Sequence, residues 1–146
     1  MTNLSEEIAR RWENGNFIEY LERLPVPSLN RGRVYYESYM TAWIIREGLV
    51  GELFIKFPAG YVEGERLHLH PKSDRIVSII SGGGQFKAER NGELMEHELV
   101  PGMRVWMPRG TLHTFETGPE GLLVHSMHLP FIPLDDPTCL VYPDTE

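Results

Sequence analysis

Gly102-Met103-Arg104-Val105-Trp106-Met107-Pro108-Arg109-Gly110-Thr111-Leu112-His113 sets a β-prone run, Arg104 to Met107, between two glycine turns and then returns to an extended run that carries a histidine. Upstream, Gly64-Glu65-Arg66-Leu67-His68-Leu69-His70-Pro71 places two histidines two residues apart. On a β-strand residues i and i+2 point to the same face, so His68 and His70 present their imidazoles side by side. His113 is a distant third that would complete a metal site.

From about residue 33 the same punctuation continues, with short β-rich runs separated by Gly, Pro, Asn or Asp. The expected strands are Val34 to Ser38, Ala42 to Arg46, Gly51 to Phe57, Glu65 to His70, Ile76 to Ile80, Gly84 to Arg90, Glu93 to Leu99, Arg104 to Met107, Thr111 to Glu116 and Leu122 to Leu129. Ser81-Gly82-Gly83 and Gly118-Pro119 read as turns between strands. Gly82-Gly83-Gly84 is not a phosphate cradle, because no helix and lysine follow it. Asn91-Gly92 supplies the two positive φ values of a type I′ turn, which predicts a hairpin from Lys87 to Leu99. So many short strands favour a closed barrel or jelly roll, which also disposes of unpaired edges.

The start of the chain reads differently. Leu4, Ile8 and Trp12 are spaced by four, with Asn3 or Ser5 available as a cap, and Gly15 interrupts the helix they predict. Phe17, Leu21 and Leu24 suggest a second amphipathic piece that stops at Pro25-Val26-Pro27. The expected organisation is a helical extension over residues 1–30 and a β-barrel domain with a tail over 31–146.

The 146 residues suit one domain with one core. A formal charge of −7 with scattered arginines argues against nucleic acid, because phosphate contacts need clustered Lys and Arg. Cys139 is the single cysteine, so no disulfide forms within the chain, and a reducing cytoplasm is expected. Neither a signal peptide nor a membrane-length apolar run is present, so no membrane partner is expected. The arm and the tail from Pro130 to Pro143 carry apolar groups, among them Phe131, Leu134 and Leu140, that a small barrel would not bury alone, and a homodimer covering them is expected.

The order of these residues resembles the cupin superfamily. Gly102, Pro108, Gly110 and His113 match the second cupin motif, with Thr117 in place of its final Asn. The first motif supplies His68, His70 and Gly82, while its leading glycine falls on Val62 and its glutamate position is Arg75. The resemblance covers roughly residues 50 to 130 and implies an all-β, double-stranded β-helix whose three histidines converge inside the barrel mouth. It implies a divalent transition metal there, Fe, Mn, Ni, Zn or Cu, with coordination positions open for water or substrate.

Arg75 changes what such a site would be. At about 5 Å it would repel a divalent ion by on the order of 6 to 7 kcal/mol at an effective dielectric near 20. Three arrangements answer this. A one-residue bulge would bring Asp74 into the vacant ligand position; Arg75 would face the metal with an acidic small molecule or a nearby carboxylate between them, its guanidinium gripping two oxygens; or the cavity would hold no metal, and the histidines and Arg75 would bind an anion or a sugar-like molecule. Trp106 is a candidate wall of the ligand pocket beside Arg75. His125 and His128 are three apart in one strand, so one faces inward and the other outward. Two functional classes follow: a small metalloenzyme of dioxygenase, isomerase or lyase type acting on a small acidic molecule, or a non-catalytic ligand-binding protein. No catalytic residue is singled out by the sequence.

Overall fold

A computed structural model describes residues 3–27, 29, 32–37, 40–60 and 67–143. Ser38, Val62, Gly64, Glu65 and Arg66, which entered the expectations above, lie outside the described residues. Leu4, Ile8 and Trp12 form the apolar stripe of α1 (Asn3–Asn14), as their spacing predicts. The helix ends where Gly15 N–H donates to the Trp12 carbonyl and Asn16 N–H to the Arg11 carbonyl, the paired bonds of a Schellman motif. Arg90 then satisfies the last carbonyls, donating to Trp12 O at 2.9 Å and Glu13 O at 3.0 Å.

No second helix follows. Phe17 and Leu21 instead flank an extended segment, β1 (Ile18–Tyr20), which pairs with Val105 to Met103, and Leu24 lies beyond it outside any helix or strand. Leu21 N–H extends the pairing by donating to the Gly102 carbonyl at 2.7 Å. A helix of two turns is marginal by itself, whereas an open strand edge offers backbone partners at once, so tertiary pairing overrides the spacing.

The remaining strands are β2 (Arg33–Glu37), β3 (Met40–Arg46), β4 (Gly51–Phe57), β5 (Asp74–Arg90), β6 (Glu93–Leu99), β7 (Met103–Met107) and β8 (His113–Leu129). The sheet order is β1-β7-β5-β8-β4-β3-β2, with β6 also on β5, and the paired neighbours are antiparallel. Asn91, at φ 55°, and Gly92, at φ 81°, make the expected hairpin turn between β5 and β6.

Two expected strand breaks are absent. Ser81-Gly82-Gly83 and Gly118-Pro119 lie inside continuous strands, and β5 pairs with β8 from Asp74 opposite Leu129 to Ala88 opposite His113. Register shifts between Ile79 and Ser81 and between Gly82 and Gly84 mark bulges where this ribbon bends. Gly84 sits at φ 147°, where a Cβ would lie 1.8 Å from the Glu116 carbonyl oxygen. The glycines therefore let the two backbones close and turn the ribbon instead of reversing it. Its lower half carries β7 on one edge and its upper half carries β6, which rolls the sheet into a barrel.

Alternation along the strands sorts the side chains. Met103, Val105 and Met107 of β7, Val77 of β5 and Val124 of β8 join the interior cluster. Ile76, Trp106 and Leu129 form a second cluster with Ile8 and Phe17 of the N-terminal segment, so α1 covers the outer face of β5 and β7. The tail returns to the barrel: Phe131 is in the interior cluster, Leu134 packs against it, and Leu69 and Val141 exchange backbone hydrogen bonds of 2.9 Å in both directions. Part of the apolar surface of the arm and tail is thus covered by this chain itself, while Leu24, Val26, Leu29 and Tyr142 stay exposed. Among the described residues no helix is long and apolar enough to cross a membrane.

Candidate metal centre

His68 and His113 are tied together by their backbones, each N–H donating to the other's carbonyl at 3.0 and 2.9 Å. His113 opens β8 just after Pro108-Arg109-Gly110, a turn that Thr111 Oγ1 pins by donating to Pro108 O at 2.7 Å. This pairing and the extended backbone at His68 bring three rings together. Centroids lie 4.4 Å apart for His68 and His113, 5.0 Å for His70 and His113, and 5.2 Å for His68 and His70. One nitrogen from each falls within 4.8 Å of the others.

Hydrogen bonds select the tautomer. His70 Nδ1 lies 2.7 Å from the Cys139 carbonyl, and His113 Nδ1 lies 2.8 Å from the Thr111 carbonyl. A carbonyl only accepts, so in both rings Nδ1 carries the hydrogen and Nε2 keeps its lone pair. This is the arrangement by which metal-ligating histidines are oriented. Burial, reinforced by His113 and Arg75, pushes the His68 imidazole down to about 2. Burial likewise pushes His113 down to about 4, against the raising effect of its bond to Thr111, and holds His70 well below its ordinary value. Three imidazoles held neutral by burial, each with one nitrogen near the other two, fit a divalent transition metal and leave coordination positions open.

Arg75 faces the same cavity. It is 6% exposed and lies directly across the ribbon from His128, which is fully buried. Its Nη1 donates to His128 Nε2 at 3.1 Å, its Nε to Ser73 Oγ at 3.3 Å, and its Nη2 to Cys139 Sγ at 3.7 Å. Burial pushes the guanidinium below its usual range, and Cys139 works the other way. No carboxylate pairs with Arg75 among the described residues.

Asp74 does not become a ligand. The strand alternates here without a bulge, so Asp74 turns outward, where its carboxylate accepts from the Arg109 backbone at 2.8 Å and from the guanidinium at 3.1 and 3.2 Å. Burial opposes its charge, but these bonds prevail and hold the carboxyl below its usual value. The bulges lie further along, after Ile79.

Trp106 is not a wall of this cavity. It occupies the outward parity of β7, where its indole donates to Glu19 at 3.2 Å and the Arg11 guanidinium stacks at 4.3 Å from the ring. His125 and His128 do face opposite sides: His125 bonds Glu52 at 2.9 Å beside Phe54, while His128 enters the cavity. Cys139 and Ser126 also line it, and neither was singled out by the sequence. The parity of β8 points to Ser126 once His128 is known to be inward; nothing marks Cys139, because the tail has no strand pattern.

A β-barrel with three histidines gathered at its interior is a cupin architecture, and the chain is a cupin-fold protein. No protein-family model and no curated protein matches the sequence. Among solved structures, oxalate decarboxylase from Bacillus subtilis at pH 4.6 superposes with a TM-score of 0.64 at 13% identity, covering 87% of this chain and 32% of that one. Oxalate decarboxylase from Lactobacillus farciminis in a formate complex gives 0.57 at 16% identity, covering 68% and 31%. The coconut allergen cocosin gives 0.57 at 14% identity, covering 72% and 30%. The chain thus spans about a third of the length of these structures, and at such identities the likeness establishes the fold.

Proposed function

We propose that this chain is a metal-dependent cupin that holds a divalent transition metal (Fe, Mn, Ni, Zn or Cu) on His68, His70 and His113 and acts on a small acidic organic molecule held by Arg75. The observation that carries the proposal is a buried arginine, without a carboxylate partner among the described residues, lining one cavity with three neutral imidazoles. A bound ion supplies Lewis acidity or redox capacity there. The chain's own groups do the rest: the Cys139 and Thr111 carbonyls fix two ligand rings, Arg75 orients the acid, and apolar walls exclude water. Two of the similar structures are named for oxalate, itself a carboxylate, which agrees with an acidic substrate. The reaction class is dioxygenase, isomerase or lyase.

Metal analysis of protein made without a polyhistidine tag tests this. Wild type reconstituted with metal is expected to hold about one equivalent and His113→Ala less than about a tenth. Wild type below a tenth of an equivalent rejects the metal. A ligand-binding protein without metal or turnover is the second reading, favoured by the absence of any Asp or Glu from the described cavity lining.

The proposal includes a homodimer. Val34 and Tyr36, exposed on edge strand β2, are the apolar groups it would cover. A strict monomer by light scattering at micromolar concentration rejects it.

A further inference from the structure

We propose that the cavity selects a small monocarboxylic acid with an apolar body, its carboxylate in the fork of Arg75 and its hydrocarbon part against Met40, Ile55, Val124 and Leu134. This rests on the reading of the cavity as the ligand site and narrows the ligand to one charge and one shape.

A guanidinium carries five N–H donors and accepts nothing. In Arg75 three are engaged among the described residues, one from each nitrogen, to Ser73, His128 and Cys139. Five less three leaves two, one on each terminal nitrogen, which is the pair that a carboxylate takes in bidentate fashion. The three partners are a hydroxyl, an imidazole and a sulfur at 3.7 Å, so no carboxylate offsets the buried cation. A lone buried charge is costly, and an anionic ligand removes that cost.

His128 adds an independent demand. Arg75 only donates, so His128 Nε2 accepts, from Arg75 at 3.1 Å and from the Ser126 hydroxyl at 2.8 Å, and the ring hydrogen sits on Nδ1, a buried atom with no acceptor among the described residues. A cation without an anion and a donor without an acceptor thus belong to neighbouring residues lining one cavity. Both are answered by the oxygens of an anion.

Charge and size limit that anion. Apart from Arg75, no Lys, Arg, Asp or Glu lines the cavity among the described residues, so one anionic group is matched and a second is not. The remaining walls are mostly Met, Ile, Phe, Val and Leu, which offer no partners to a polyhydroxylated body. The space open to the centres of water molecules is about 90 Å³. With roughly 10–15 Å³ needed per water on that measure, it takes a ligand of roughly six to nine heavy atoms.

Calorimetric titration of metal-free and Zn²⁺-loaded full-length protein with acetate, butanoate, hexanoate, decanoate, butanamide, succinate and inorganic phosphate tests this. Affinity of the metal-free protein is expected to rise about fourfold per methylene from acetate to hexanoate and to stop rising by decanoate. Butanamide is expected to bind at least tenfold more weakly than butanoate, and Arg75→Gln to lose roughly 10- to 100-fold for the acids alone. The acid-to-amide ratio on wild type needs no variant, so a misfolded Arg75→Gln does not remove the test. Equal binding of butanoate and butanamide, no binding of any acid, or tighter binding of succinate or phosphate than of butanoate by metal-free protein overturns the proposal. Butanoate binding in a protein that takes up none of Fe²⁺, Mn²⁺, Ni²⁺, Zn²⁺ or Cu²⁺ defeats the metal reading and leaves this one standing. Zn²⁺ uptake with no preference for acids does the reverse.

Discussion

Between pH 6.5 and pH 4 the metal-free protein is expected to lose about 3 kcal/mol of unfolding free energy through His113 alone, and about as much again through His68. In the unfolded chain each imidazole takes a proton near pH 6.5. In the folded protein burial delays this to about 4 for His113 and about 2 for His68. Below pH 6.5 the unfolded state therefore binds more protons, and stability that is complete above that pH drains away as the pH falls. The share of His113 stops growing once the pH passes below about 4, while that of His68 grows further. His70 and His128, both held well below the ordinary value, act in the same direction. Since whole domains are stable by about 5–15 kcal/mol, the barrel is expected to unfold or to open its centre before pH 4 is reached. Urea unfolding at pH 7, 6 and 5 checks this. Replacing His113 with Asn should flatten the dependence by about 1.4 kcal/mol per pH unit, and midpoints independent of pH reject it.

Gly84→Ala is expected to cost about 4 kcal/mol or to abolish the cooperative transition. Two effects combine at this position. The backbone at φ 147° is one that L-residues rarely adopt, and the new Cβ would lie 1.8 Å from the carbonyl oxygen of Glu116. That oxygen belongs to the partner strand of the ribbon, so relief requires β5 and β8 to move apart where the barrel bends. Gly92→Ala is the control: its φ of 81° is also unfavourable, yet its Cβ would meet nothing within 4 Å, and a loss of about 1 kcal/mol is expected. Urea midpoints compare the two variants. A loss at Gly84 no larger than at Gly92 shows that the close approach is not what the glycine provides.

Local chemistry made part of this molecule legible. The Asn91-Gly92 hairpin, the helix through Leu4, Ile8 and Trp12, and the convergence of His68, His70 and His113 follow from turn geometry, helical spacing and motif spacing. What failed depended on long-range placement. The glycines of β5 punctuate in a single sequence as a turn does, and only β8 alongside shows them to be bends. Trp106 shares the outward parity of β7 with Arg104, whose charge marks that face, but its large apolar ring packs with Ile8 and Phe17 in a second cluster and so reads as a wall of the interior. Of the three arrangements open at Arg75, the bulge that would have made Asp74 a ligand is absent, and the parity of the two residues becomes readable only once β5 is anchored opposite His128 and Met107. The role of Cys139 had no sequence signal at all.

The carbonyl that orients His70 belongs to Cys139, 69 residues later in the chain. Leu69 likewise waits for Val141. A chain synthesised at roughly 5–20 residues per second therefore exposes its first two histidines for roughly 3 to 14 s before that partner exists. During this interval His68 and His70 are ordinary solvated side chains on an unfinished barrel. The cluster on which a divalent metal is proposed to sit is therefore completed only when the tail closes on the barrel.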